Sequence, residues 1–171
     1  YLPPFKAAKE AGVSSFMNSF NDLNGIPATG SSFLQRKLLK GDWAFAGFIV
    51  SDWGSISEMV AHGYAKGDNH AAELAINAGS DMDMESHLYV NELASLVKEG
   101  KVDPALINDA ARRILKVKFE LGLFDDPYKY CDEAREASVI GSQSNLSEVL
   151  DLAKKSIVLL KNENNVLPLA K

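Results

Sequence analysis

One cysteine in 171 residues, Cys131, excludes a disulfide within the chain and leaves the redox compartment open. No stretch approaches the roughly 20 apolar residues that a bilayer-spanning helix needs, so no membrane partner is expected. There is no basic run. Lys and Arg total 18 against 23 Asp and Glu, a net charge of -5, which argues against nucleic acid as a partner. Neither a Gly-x-Gly-x-x-Gly run nor a Walker sequence is present, which removes the usual phosphate cradles. The start, Tyr1-Leu2-Pro3-Pro4, lacks Met and lacks the charged opening and apolar core of a signal peptide. Lys6 to Ala11 read as the middle of a helix, and the true beginning is expected to lie upstream.

The chain is 46% hydrophobic and 24% charged, a globular composition. Phe5 to Ala11 predicts a short helix capped at Gly12. Val13 to Ser19 predicts a buried strand. Asn21 to Gly30 has loop composition. Ser31 or Ser32 can cap a helix to about Gly41 with Leu34, Leu38 and Leu39 on one face. Gly47 to Ser51 is the clearest strand, apolar and β-branched, of the kind buried on both faces in a parallel sheet. Helices follow over Ser55–His62, Ala71–Asn77, Leu88–Glu99 and Pro104–Leu121, the last capped by Asp103. Asp81 to Met84 predicts another strand. This alternation implies a parallel α/β arrangement.

Composition changes after Phe124. Residues 125–144 read as a linker. Leu146 to Lys155 predicts a helix and Ser156 to Leu160 an apolar strand. One helix and one strand bury no core alone, so the tail reads as the opening of a second domain.

Asp52 follows the clearest strand directly. A carboxylate there stands at the strand's carboxy end, where parallel α/β folds bind ligands and barrel enzymes keep their chemistry. The competing reading makes Asp52 the cap of the next helix, a task Ser55 can also perform. Trp53 suits a sugar platform, against the commoner role of filling space between strand and helix.

The run Gly47-Phe48-Ile49-Val50-Ser51-Asp52-Trp53-Gly54 resembles the nucleophile motif of glycoside hydrolase family 3. Three further stretches match in order. Met17 to Gly25 resembles that family's preceding strand and Asn-Gly loop. Asp109 to Leu115, through Gly122-Leu123-Phe124, resembles its last barrel helix. Ala153 to Asn162, with Leu167-Pro168-Leu169, resembles the entry to its second domain.

The resemblance implies the C-terminal part of a TIM-like (β/α)8 barrel over 1–124, a linker over 125–144, and over 145–171 the first helix and strand of an α/β sandwich domain. It implies a retaining, exo-acting β-glucosidase acting on terminal β-D-glucosyl residues of glucosides or oligosaccharides, with no cofactor and no metal. Alternatives are a β-xylosidase, another exo-glycosidase of the family, or a non-catalytic sugar-binding homologue. Asp52 falls on the nucleophile position, and Trp53 on a residue flanking the aglycone side of the sugar. Phe20 occupies a position that is often Tyr, so the contact made by a Tyr hydroxyl would be missing. The acid/base and the residues gripping the non-reducing sugar are expected outside this chain. The resemblance also suggests a periplasmic or secreted location. Such a fragment alone is expected to be inactive and poorly soluble.

Retaining hydrolysis needs two carboxyl groups roughly 5 to 5.5 Å apart, one attacking the anomeric carbon and one protonating the leaving oxygen. Asp81, Asp83, Glu85 and His87 form an acidic cluster with a structural or ion-pairing reading favoured over a metal site. His62 and His70 read as loop residues. Asp22 and Asn24 can line the site or serve turn chemistry.

Overall fold

The computed structural model describes residues 1–169. It divides into two compact units, one over Tyr1–Pro127 and one beginning at Tyr128.

In the first unit, helix α1 spans Leu2–Glu10 with prolines in its first turn. It begins earlier than the sequence pattern suggests because proline's fixed φ suits the first helical positions. Strand β1, Ser15–Met17, pairs in parallel with β4, Phe48–Val50, in the register Ser15↔Phe48, Phe16↔Ile49, Met17↔Val50. A third segment joins through one parallel bridge, Val50↔Met82. Ser51 N donates to Met82 O at 2.8 Å and Met82 N to Ile49 O at 3.1 Å. The strand expected over Asp81 to Met84 is thus shortened to its bridging residue, since the chain turns away to pair Met84 with Gly54 and Ser51. Three parallel segments in chain order, with helical crossovers between them, make part of an α/β barrel.

The sheet is less buried than its composition predicts. Ile49 is sealed, but Phe48 and Val50 are half-buried, and in β1 Phe16 alone is partly covered. Among the described residues β1 pairs only with β4, which leaves its other edge open.

Between β1 and β4 the supposed loop holds a hairpin. Strands β2, Asp22–Leu23, and β3, Ile26–Pro27, are antiparallel. Asn24 and Gly25 both take positive φ, 54° and 79°, as a two-residue primed turn requires. A 3₁₀ turn, Ala28–Gly30, follows.

Phe33–Asp42 is wound as a π-helix, with Trp43 N donating to Leu38 O at 2.9 Å. Its buried residue is Gln35, and the expected leucine face is only half covered. The reason lies in what this segment reaches. Arg36 donates to the carbonyls of Ile76 and Asn77, and Lys40 Nζ to that of Gly79 at 2.8 Å. These carbonyls close helix α3, Asp68–Ala78, and its carboxy end favours cations.

The core lies among α3, α2 (Ser55–Ala61), α4 (Leu88–Lys98) and α5 (Pro104–Glu120). Alanines 71, 72, 75 and 78 line the buried face of α3, and small side chains there admit Ile56, Met59 and Leu96. Asp103 caps α5 as its sequence suggests, accepting from Ala105 N at 2.8 Å.

The second unit contains α6, Glu133–Val139, and α7, Gln143–Ser156, with no buried residue in either. Helix α6 sits within the stretch read as a linker, where Asp132 caps it by accepting from Arg135 N at 3.0 Å. The strand expected over Ser156 to Leu160 does not form. Ser156 ends α7, and 157–160 have no partner strand among the described residues.

Candidate active site

Asp52 stands two residues beyond β4, at the carboxy end of the parallel segments. It does not cap the next helix. The N-cap of α2 is Gly54, at φ 67°, a left-handed conformation that helps turn the chain from strand into helix over residues 51–54. Asp52 is half-buried. Its Oδ1 accepts from Trp53 N at 2.7 Å, and its Oδ2 has no hydrogen-bond partner among the described residues. One oxygen is therefore anchored and the other is available.

Trp53 is 64% exposed, so here it does not fill a gap between sheet and helix. Phe20 is half-buried, three residues past β1 on the neighbouring strand and at the same end of the sheet. The polar tie between these two strand ends runs through Asn18, which sequence reasoning left out of the site. Asp52 N donates to Asn18 Oδ1 at 3.3 Å, and Asn18 N donates to Val50 O at 3.0 Å.

Beneath Asp52 lies a buried polar layer. Asn18 Nδ2 donates to Ser80 Oγ at 2.7 Å. Thr29 Oγ1 donates to Asn18 Oδ1 at 3.0 Å and lies 2.9 Å from Ser55 Oγ. Gln35 Nε2 donates to Thr29 O at 2.8 Å, and Ser80 Oγ to Gln35 Oε1 at 3.0 Å. Thr29, Gln35, Ser55 and Ser80 are all buried, and among the described residues no buried side-chain polar atom lacks a partner. A satisfied network of this kind holds one geometry, because each broken bond leaves a buried group unpaired. Ser51 Oγ extends it by accepting from Met84 N at 2.8 Å.

The acidic cluster separates by role. Asp81 is buried against Lys40 at 2.6 Å and accepts from Ile49 N at 2.8 Å. Burial lowers the Lys40 ammonium below the usual lysine range, with the Asp81 carboxylate opposing that shift. Asp83 accepts from Ser86 Oγ and from Tyr89 N, at 3.2 Å for the latter. Glu85 and His87 both take positive φ in the loop before α4. Among the described residues no three His, Cys, Asp or Glu side chains gather to hold a metal. His62 lies 3.6 Å from Asp22, and His70 Nδ1 accepts from Lys66 N at 3.1 Å. Asn24 serves the hairpin turn.

A carboxylate with one anchored oxygen, and one without a partner among the described residues, thus stands next to an exposed indole at a strand's carboxy end. The comparisons with known proteins agree in class. The family model described as "Glycosyl hydrolase family 3 N terminal domain" matches residues 1–117, and the chain belongs to that family. It is 41% identical to a periplasmic beta-glucosidase of Salmonella typhimurium, over all of this chain and 23% of that protein. It is 38% identical to a beta-xylosidase of Formosa agariphila, covering 99% of this chain and 24% of the relative. Among solved structures, a beta-glucosidase from Listeria innocua in complex with glucose superposes with a TM-score of 0.82 at 38% identity, over 99% of this chain and 23% of that one. The chain thus spans about a quarter of the length of these relatives.

Proposed function

We propose that this chain is the nucleophile-bearing portion of a retaining, exo-acting β-glucosidase. Asp52 attacks the anomeric carbon of a terminal β-D-glucosyl residue, while a carboxyl group supplied from outside this chain protonates the leaving oxygen. The glycosyl ester at Asp52 is then hydrolysed by water, with the second carboxyl group acting as base. Trp53 packs on the apolar face of the substrate beside the scissile bond, and Phe20 contributes apolar wall without a hydroxyl. On this reading residues 1–124 belong to the catalytic barrel, 125–144 link, and 145–171 open a second domain. The likeness to a periplasmic relative supports a location outside the cytoplasm.

The observation that carries the reading is the placement of Asp52 beyond β4 with Oδ1 held by Trp53 N. That hydrogen bond anchors one carboxylate oxygen and leaves the other without a partner among the described residues, as a nucleophile needs. The test uses the full-length protein carrying this chain. A 2-fluoro aryl β-glucoside should leave a glycosyl adduct on Asp52, visible by mass spectrometry of the peptide. Asp52→Ala should lower kcat by about 10⁴-fold or more, the scale seen when a nucleophile is removed. An unlabelled Asp52 peptide after complete inactivation would end the proposal.

A second reading, β-xylosidase, draws on the Formosa relative's nearly equal identity. The ratio of kcat/KM for aryl β-glucoside and aryl β-xyloside separates the two.

A further inference from the structure

We infer that Asn18 is a positioning residue for the nucleophile: its side-chain amide sets the backbone of Asp52, and through it the carboxylate, against the neighbouring strand. The inference rests on the proposed role of Asp52 and adds a residue to it.

Asn18 lies one residue beyond β1, in a stretch otherwise held by backbone pairing. Its main chain continues the ladder, with N donating to Val50 O at 3.0 Å. Its side chain then does what the ladder cannot do past the last strand residue, accepting from Asp52 N at 3.3 Å. Main-chain N–H groups are obligate donors, so Asp52 N fixes which end of the amide faces it. The other end is fixed independently, because Nδ2 donates to Ser80 Oγ at 2.7 Å. Ser80 is fully buried and itself tied to Gln35 and Thr29. The amide is thus locked from below by the buried layer and holds Asp52 from the side. Among the described residues only Trp53 N holds the carboxylate directly, and that donor belongs to the same short turn. A shift of Asp52 N would therefore move carboxylate and anchor together.

A nucleophile displaced by about 1 Å loses on the order of 10²-fold in rate with little change in ground-state binding. In the full-length protein, Asn18→Leu keeps the side-chain volume and deletes both hydrogen-bonding ends. It should lower kcat, and the rate of adduct formation from the 2-fluoro glucoside, by about 10- to 100-fold with KM within about twofold. Asn18→Asp keeps an acceptor for Asp52 N but loses the Nδ2 donor to Ser80 Oγ, so it should recover only part of that rate. Should the leucine variant not fold, Asn18→Ser carries the same expectation, since its shorter hydroxyl falls short of Asp52 N. A purely structural role would instead lower Tm while leaving kcat and the adduct rate of the folded fraction within about twofold of wild type, and that result overturns the inference. The two proposals fail separately. If the wild-type protein labels no Asp52, the glycosidase reading falls; if it labels Asp52 and Asn18→Leu labels it as fast, only the role of Asn18 falls.

Discussion

Asp52 and Asn18 differ in how they announce themselves. Asp52 follows an apolar run that can hardly be anything but a strand, so its place at a strand end was legible from the sequence. Asn18 follows a short strand directly, and a polar residue there suggests solvent. Its importance comes from partners 11 to 62 positions away, and no local pattern reveals those. The same holds for Thr29 and Ser80, small polar residues that look like turn chemistry until the fold buries them. Trp53 shows the opposite error, since its default reading as filler fails against 64% exposure. If it is the sugar platform, Trp53→Ala in the full-length protein should raise KM for an aryl β-glucoside about tenfold, worth about 1.4 kcal/mol, while Tm stays within a degree or two. A large fall in Tm with unchanged KM would place Trp53 in packing instead. Lys40 is expected to behave differently. Its side chain and that of Asp81 are nearly sealed, so Lys40→Met strands a buried carboxylate against Ile49 N. Loss of one partner of a buried pair costs about 3 to 5 kcal/mol, and urea denaturation of the variant should show a midpoint lowered accordingly.

At the level of elements, helices proved more legible than strands. The periodic stripes of α4 and α5 and the Asp103 cap are local signals, and both helices fall within two residues of their expected ends. Strand limits depend on neighbours. Asp81 to Met84 has a strand's composition, yet only Met82 bridges, because Met84 is drawn into the turn around Gly54. Residues 157–160 are as apolar as β4 but have no described partner strand, and composition alone cannot supply one. Gly47 lies just before β4 and packs against Ser14, just before β1. A Cβ there would lie 2.1 Å from Ser14 O and 2.6 Å from the Phe45 ring, with backbone on the other side of the clash. Arg113 donates to Gly47 O at 2.9 Å and ties the same point to α5. Gly47→Ala should therefore cost about 3 kcal/mol, at the upper end for overpacking. Gly12→Ala, at a site with no atom within 4 Å of the added Cβ but with φ 89°, should cost only the conformational penalty of about 1 kcal/mol. Chemical denaturation of the two variants should rank them in that order.

On the scale of the whole chain, burial is distributed unevenly, and that asymmetry makes its own prediction. Every residue of the hydrophobic cluster lies between Ile56 and Ala110, inside the first unit. In the second unit α7 presents Leu146, Val149, Leu150 and Leu152 at 53% exposure or more, and Leu160 reaches 91%. Hydrogen bonds within an exposed helix protect poorly by themselves, since isolated helices of this length are marginal in water. Apolar burial is what raises the free energy of local opening. In the isolated 171-residue chain, amide exchange should accordingly be slow for α3 and for Ile49, whose N–H is held by the sealed Asp81. It should be faster by orders of magnitude throughout α7, despite its capping Ser142. The same exposed leucines should drive association, so light scattering should rise with concentration and fall when residues 128–171 are removed. Equal protection of α3 and α7 in a monomeric sample would mean that the second unit buries its apolar face in solution.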